Sequence, residues 1–269
     1  MAIIFDGKTF AREKEIKLKE EIKRLSERSI KPKLVSILVG DNPASVMYVK
    51  LKKKAAERVG AEVEVRSMMS DVRKEKIIGL IQTLNKDEST HGIMVQLPLP
   101  ANFSEKDRDE IIKTIAKEKD VDGLREDGLY LTPTVKAVLE VVREATPYIT
   151  LKVPPLKVAV VGAKGFEGKK IFKVMKEMVY VVEGLDREIE NLNTKTRQAD
   201  ILISVTGSPG IIGKEEIKDG AVIIDVGSPK GDVKADEIID KAAFISPVPG
   251  GIGPITISAL LENLVEAAI

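Results

Sequence analysis

The sequence contains no cysteine. Disulfides, thiolate metal ligands and cysteine nucleophiles are therefore excluded. It contains one histidine, His91. A lone histidine cannot hold a zinc ion, and any Ser–His–Asp triad would have to use it. Excess charge is missing as well. Forty-three Lys and Arg face forty-two Asp and Glu, for a formal charge of +1. Such a balance gives no electrostatic reason to expect nucleic acid as a partner. No stretch approaches the ~18 uninterrupted apolar residues of a membrane span. The opening MAIIFDGKTF has no charged start, long apolar run or small-residue cleavage site, so it is not read as a signal peptide. A cytoplasmic protein is expected. What is present is a globular composition, with 269 residues, 43% of them hydrophobic and 32% charged. A chain of this length can bury roughly 70–75% of its unfolded surface, enough for one large or two modest domains.

Hydrophobic periodicity predicts a helix from Thr9 to about Arg28 (Phe10, Ile16, Leu18, Ile22, Leu25). Leu34 to Val39 is a short apolar run, the signature of a parallel strand covered on both faces. Asn42 suits a helix N-cap and Pro43 the first helical position. That helix is expected to run to Val59 and stop at Gly60. Further alternation predicts strands at Ala61–Ser67 and Gly92–Gln96, and helices at Asp71–Asn85, Ser104–Lys117 and Thr134–Arg143. The proline-rich stretch Thr146–Lys157 reads as an interdomain connection. Beyond it come strands at Val158–Val161, Val179–Val182, Ile201–Val205 and Ala221–Val226. Helices are expected at Lys169–Met178 and Pro254–Ala268. The alternation is a βα design in two α/β domains with a cleft between them.

Five stretches have the residue types for chemistry. Ser45, Tyr48 and Lys52 form one helical stripe. A lysine beside a tyrosine can transfer protons if burial or neighbouring cations such as Lys50, Lys53 and Lys54 lower its pKa; otherwise the stripe is a solvated face. Gln96 ends a buried strand, where α/β proteins place ligand groups. Asp120 and Asp122 share a turn, able to bind a cation, to accept from an amidine-like heterocycle, or merely to meet water. Gly162, Gly165 and Gly168 space a strand-to-helix turn suited to phosphate. The spacing is GxxGxxG, not GxGxxG. About 24 residues on, Asp186-Arg187 stand where a dinucleotide fold reads the adenosine ribose. An Asp there favours a free 2′-hydroxyl and an Arg a 2′-phosphate. In Pro247–Thr256 the glycines allow close backbone approach to a flat ligand, unless they only make a turn.

Together these stretches resemble the bifunctional methylenetetrahydrofolate dehydrogenase/cyclohydrolase family. The resemblance covers nearly the whole chain in order. It runs through Asp6-Gly7-Lys8, the Ser45/Tyr48/Lys52 stripe, VQLPLP at Val95–Pro100 and KDVDG at Lys119–Gly123. It ends with DVG at Asp225–Gly227 and PVPGGIGPIT at Pro247–Thr256.

The resemblance implies an N-terminal three-layer α/β catalytic domain over residues 1–140, rejoined by the C-terminal helix 254–269. It implies a Rossmann-like NADP-binding domain over residues 141–253. Lys52 would transfer protons, Tyr48 would stack on the folate ring, Gln96 would tune Lys52 and Asp122 would bind the pterin edge. The folate lining would include Val49, Lys50, Leu51, Val95, Leu97, Pro249, Gly250, Gly251, Ile252 and Gly253. Gly162, Ala163, Lys164, Arg187 and Ser228 would meet the cofactor, and no metal is implied. NADP is the expected cofactor, with NAD not excluded. The expected partners are a tetrahydrofolate substrate and a second copy in a homodimer, with neither nucleic acid nor membrane. The chain departs from the family's GRSxxVGxP turn, and Asp186-Arg187 replace its usual His-Ser. Lys164 and Arg187 are expected to take over the 2′-phosphate. Two alternatives stay open: a cyclohydrolase with an impaired cofactor site, or a non-catalytic folate- or nucleotide-binding regulator.

Overall fold

A computed structural model describes residues 1–149, 155–178, 180–186 and 192–269. The chain divides into two compact units, one of residues 1–11 and 134–256, the other of residues 12–133 and 257–269. Two expected boundaries move. The N-terminal residues join the C-terminal unit, because β1 (Ile3–Ile4) pairs in parallel with β9 (Phe244–Ser246). The main division falls at residue 133/134 rather than 140/141. The helix α5 (Pro133–Ala145) lies almost wholly beyond that division, and its Val135, Val138 and Val142 share a core with Val158, Ile203 and Ile224. The expected connection at Thr146–Lys157 begins as a 3-10 turn, Thr146–Ile149, with Ile149 buried; residues 150–154 lie outside the described ones.

The smaller sheet carries the proton-transfer candidates. Its three parallel strands are ordered β3 (Glu62–Met68), β2 (Lys33–Val39), β4 (Gly92–Val95). The expected burial of β2 on both faces is met. On one face Val35, Ile37, Val39, Ile93 and Val95 pack against Ile77 and Ile81 of α3 (Lys74–Lys86) and Ile111 of α4 (Glu105–Thr114). On the other, Leu34 and Met94 meet Ala55, Ala56 and Val59 of α2 (Pro43–Val59). Leu18, Ile22 and Leu25 of α1 (Gly7–Glu27) and Leu260, Leu261 and Leu264 of α9 (Ile252–Ala267) complete that face. The result is helix, sheet, helix. The start of α2 follows its sequence signals: Asn42 Oδ1 accepts from the N–H groups of Ala44 and Ser45, and Gly60 ends the helix at φ 92°. Only glycine adopts that value without strain.

The larger sheet is parallel, in the order β1-β9-β8-β7-β5-β6, with β5 (Leu156–Val161), β6 (Tyr180–Leu185), β7 (Ile201–Ser204) and β8 (Val222–Asp225). From β5 the chain adds β6 on one side and β7 on the other. That reversal is a topological switch point, where parallel sheets place ligands at the carboxyl ends of the strands. The helix α6 (Phe166–Glu177) follows β5 directly. Neither β1 nor β9 was expected, since two or three residues cannot show a strand period. Helix α9 starts two residues before Pro254. Proline is tolerated in a first turn, where no intrahelical N–H bond is required.

Candidate active site

In the unit with the three-stranded sheet, the stripe on α2 is aimed at the carboxyl end of β4. Lys52 Nζ donates to Gln96 Oε1 at 3.1 Å and lies 3.6 Å from Met94 Sδ. Gln96 Nε2 donates to Leu97 O at 2.7 Å. This second bond fixes the amide, so its oxygen faces the lysine. The backbone N–H of Gln96 continues the ladder to Ile37 O at 2.9 Å, which ties the glutamine to the rigid sheet. Burial of the Lys52 amine pushes its pKa below the ordinary lysine value, and the charge of Asp122 opposes that shift. Desolvation disfavours an ammonium, so the neutral amine gains population. Lys50, Lys53 and Lys54 are exposed, so burial, not a field of neighbouring cations, carries the shift.

Tyr48 is half-buried on the same stripe, and Ser45 is buried with its hydroxyl lacking a hydrogen-bond partner. The other expected folate contacts divide. Leu51 is exposed, as is Lys50, whereas Val49 is buried against the fold. Val95 is fully buried on the opposite sheet face, which leaves only its backbone for a ligand. Leu97 is half-buried and follows Gln96 directly. Met94 was not anticipated. Its place on the Lys52 face follows from strand alternation, two residues before Gln96.

The KDVDG turn separates its acids. Asp120 is fully buried and accepts from the N–H groups of Leu124 and Arg125 at 3.2 and 2.8 Å. Lys119 Nζ donates to Leu84 O and Asp87 O. Both therefore build the turn, and Asp122 is left as the acid facing Lys52. Asn263 of α9 clamps the same segment, donating to Val121 O at 2.8 Å and Leu131 O at 3.0 Å. Among the described residues no group of three or more His, Cys, Asp or Glu could hold a metal.

In the unit with the six-stranded sheet, the glycine-spaced turn has the close approaches that a dinucleotide cradle needs. Gly162 has φ 90°, and a Cβ there would lie 2.6 Å from Val205 O. A Cβ on Gly168 would overlap Gly162 O. Gly165 caps α6 without a side chain, leaving the first N–H groups of that helix for an anion. These features fit a nicotinamide dinucleotide. Lys164 stands in the turn, its ammonium 2.6 Å from Asp186 Oδ2. Ala163 is half-buried and Ser228, after β8, is exposed. Arg187 lies outside the described residues.

Pro249–Gly253 also belongs to this unit. Gly250 has φ 104° and open space beside it, whereas a Cβ on Gly251 would overlap Ser246 Oγ. Gly7 packs so closely on Gly251 O that a Cβ would overlap it, while Asp6 accepts from the N–H groups of Lys8 and Thr9. The opening Asp6-Gly7-Lys8 is thus a helix cap and a glycine contact.

Two family models match. Tetrahydrofolate dehydrogenase/cyclohydrolase, catalytic domain, covers residues 5–122, and the NAD(P)-binding domain of the same family covers residues 132–269. The bifunctional protein FolD of Exiguobacterium sibiricum is 38% identical over 283 residues, with 100% of each chain covered. That of Bacillus subtilis is 36% identical, over 99% of this chain and 98% of its own. The Campylobacter jejuni FolD structure superposes with a TM-score of 0.91 at 34% identity, covering 100% of this chain and 99% of that one. The Trypanosoma brucei FolD structure, complexed with NADP cofactor and an inhibitor, gives 0.91 at 30% identity, covering 99% and 97%. With both halves matched in order and similarity running end to end, the chain belongs to the tetrahydrofolate dehydrogenase/cyclohydrolase family, two-domain α/β enzymes of one-carbon metabolism.

Proposed function

We propose that the chain oxidises 5,10-methylenetetrahydrofolate to the methenyl form with NADP and hydrolyses that product to 10-formyltetrahydrofolate, with Lys52 as the proton-transfer residue. The observation that carries this reading is the buried Lys52 amine, held by Gln96 and shifted toward neutrality. The methenyl product is a cation, and a neutral amine beside it avoids the repulsion an ammonium would add. When water adds to the electrophilic carbon, Lys52 Nζ takes the proton it loses. The same nitrogen returns a proton to the ring nitrogen as that carbon–nitrogen bond breaks. Gln96 keeps the amine aimed, Asp122 accepts hydrogen bonds from the amino-pyrimidine edge, and Tyr48 offers a ring face to the pterin. Bound NADP supplies the hydride acceptor. Gly162 and Ala163 are read as the backbone that meets its phosphates, Lys164 and Arg187 as the cations for the 2′-phosphate, and Ser228 as a further polar contact.

Purified chain with methylenetetrahydrofolate and each nicotinamide in turn, monitored for methenyl product and its decay, tests this. Both steps should proceed. Hydrolysis of added methenyl substrate without cofactor reduction would reduce the reading to a cyclohydrolase. Absence of both would leave a binding protein. Similarity to the family also supports a cytoplasmic homodimer, which sedimentation velocity would check.

A further inference from the structure

The turn between β5 and α6 holds a charge pair with the residue that follows β6. Lys164 Nζ lies 2.6 Å from Asp186 Oδ2. Asp186 follows β6 directly, and the backbone fixes its position. The N–H groups of Gly162 and Ala163 both donate to Leu185 O, at 2.7 and 3.2 Å. The two turns are therefore stitched together through main chain. The aspartate side chain is 25% exposed and that of the lysine 85%. The carboxylate is the anchored partner, and the long cation reaches to it. Just past the second strand of a dinucleotide fold, a carboxylate accepts from a free ribose 2′-hydroxyl, and a cation pairs with a 2′-phosphate. This pair presents both.

We infer that Asp186 sets the nicotinamide preference, accepting the 2′-hydroxyl of NAD and competing with the 2′-phosphate of NADP for Lys164. This rests on the dehydrogenase reading above. NAD leaves the ion pair intact and gains an acceptor. NADP brings a second anion toward the carboxylate and draws Lys164 away from it. The chain accordingly takes NAD alongside NADP, and the carboxylate, not the lysine, keeps NADP from excluding NAD.

The test is calorimetric titration of the full chain with NAD and with NADP, which reads binding without turnover. Asp186→Asn should raise the ratio of NADP to NAD affinity by about tenfold or more, as expected for loss of one charged hydrogen-bond partner. Asp186→Glu, which keeps the charge, should stay closer to wild type than Asp186→Asn does. Lys164→Met should move the ratio the opposite way. A wild-type chain that does not bind NAD overturns the inference, as does an Asp186→Asn ratio equal to that of wild type. The expected binding pattern without oxidation of methylenetetrahydrofolate would instead defeat the dehydrogenase reading and leave Asp186 assigned.

Discussion

Lys52 is the residue to which the proposed proton transfer is assigned, and its burial is what lowers its pKa. Lys52→Met keeps an aliphatic stem and removes the amine. Methenyl hydrolysis should fall by about 10²–10⁴-fold, the usual contribution of a positioned acid–base group, while the circular dichroism spectrum stays unchanged. Stability should move the other way. A depressed lysine pKa means the folded chain binds fewer protons than the unfolded one between that pKa and the ordinary lysine value. Lys52 therefore costs stability below its folded pKa, and the cost fades as pH rises toward 10.5. Lys52→Met should melt above wild type at neutral pH, with a gap that narrows in alkali; thermal melts across pH check this. Asp122→Asn should weaken folate binding by about tenfold or more. It also removes the charge that raises the Lys52 pKa, so the acidic limb of the hydrolysis profile should shift to lower pH. An unmoved limb would separate Asp122 from the lysine.

Among the elements, the turn after β8 is tied together by a single buried carboxylate. Asp225 is buried and accepts from the N–H groups of Gly227, Asp232 and Val233. Burial nonetheless raises its pKa, with Asp232 adding to the effect. Asp225→Asn offers one acceptor where two oxygens now serve three donors. It should destabilise the unit with the six-stranded sheet by about 1–3 kcal/mol, read as a lowered denaturant midpoint. Gly168→Ala drives a methyl into Gly162 O, so NADP binding should be lost; titration calorimetry reads it directly.

The elements differ in how much of them the residues announce. Asn42-Pro43 and Gly60 marked both ends of α2, because capping is local chemistry. The apolar runs of β2 and β4 marked buried strands, because burial on both faces removes alternation. Lys52 and Gln96 were legible singly. Their meeting came only from the resemblance, since residue spacing alone does not show α2 crossing the end of β4. The Lys164–Asp186 pair was equally hidden, because it forms between turns at the ends of neighbouring strands. Asp120 and Asp122 look equivalent in sequence, and the hydrogen bonds that Asp120 accepts from Leu124 and Arg125 separate a turn-builder from a candidate site acid.

At the scale of the whole molecule, the stability of the unit with the three-stranded sheet depends on residues 257–269. Leu260, Leu261, Leu264 and Val265 close one face of its sheet, and Asn263 holds the segment bearing Asp122. A chain ending at residue 256 should lose folate affinity and its cooperative melting transition; differential scanning calorimetry would show the missing transition.

The division of the chain has a bearing on its biosynthesis. Each unit combines a stretch made early with one made late: residues 1–11 with 134–256, and 12–133 with 257–269. On a ribosome adding about 5–20 residues per second, neither sheet domain can mature as it emerges. Both wait for distant segments, and the unit with the three-stranded sheet closes only after residues 257–269 have emerged. A nascent polypeptide of this design has to stay unaggregated until those late segments appear, which makes chaperone demand during translation a property of its connectivity.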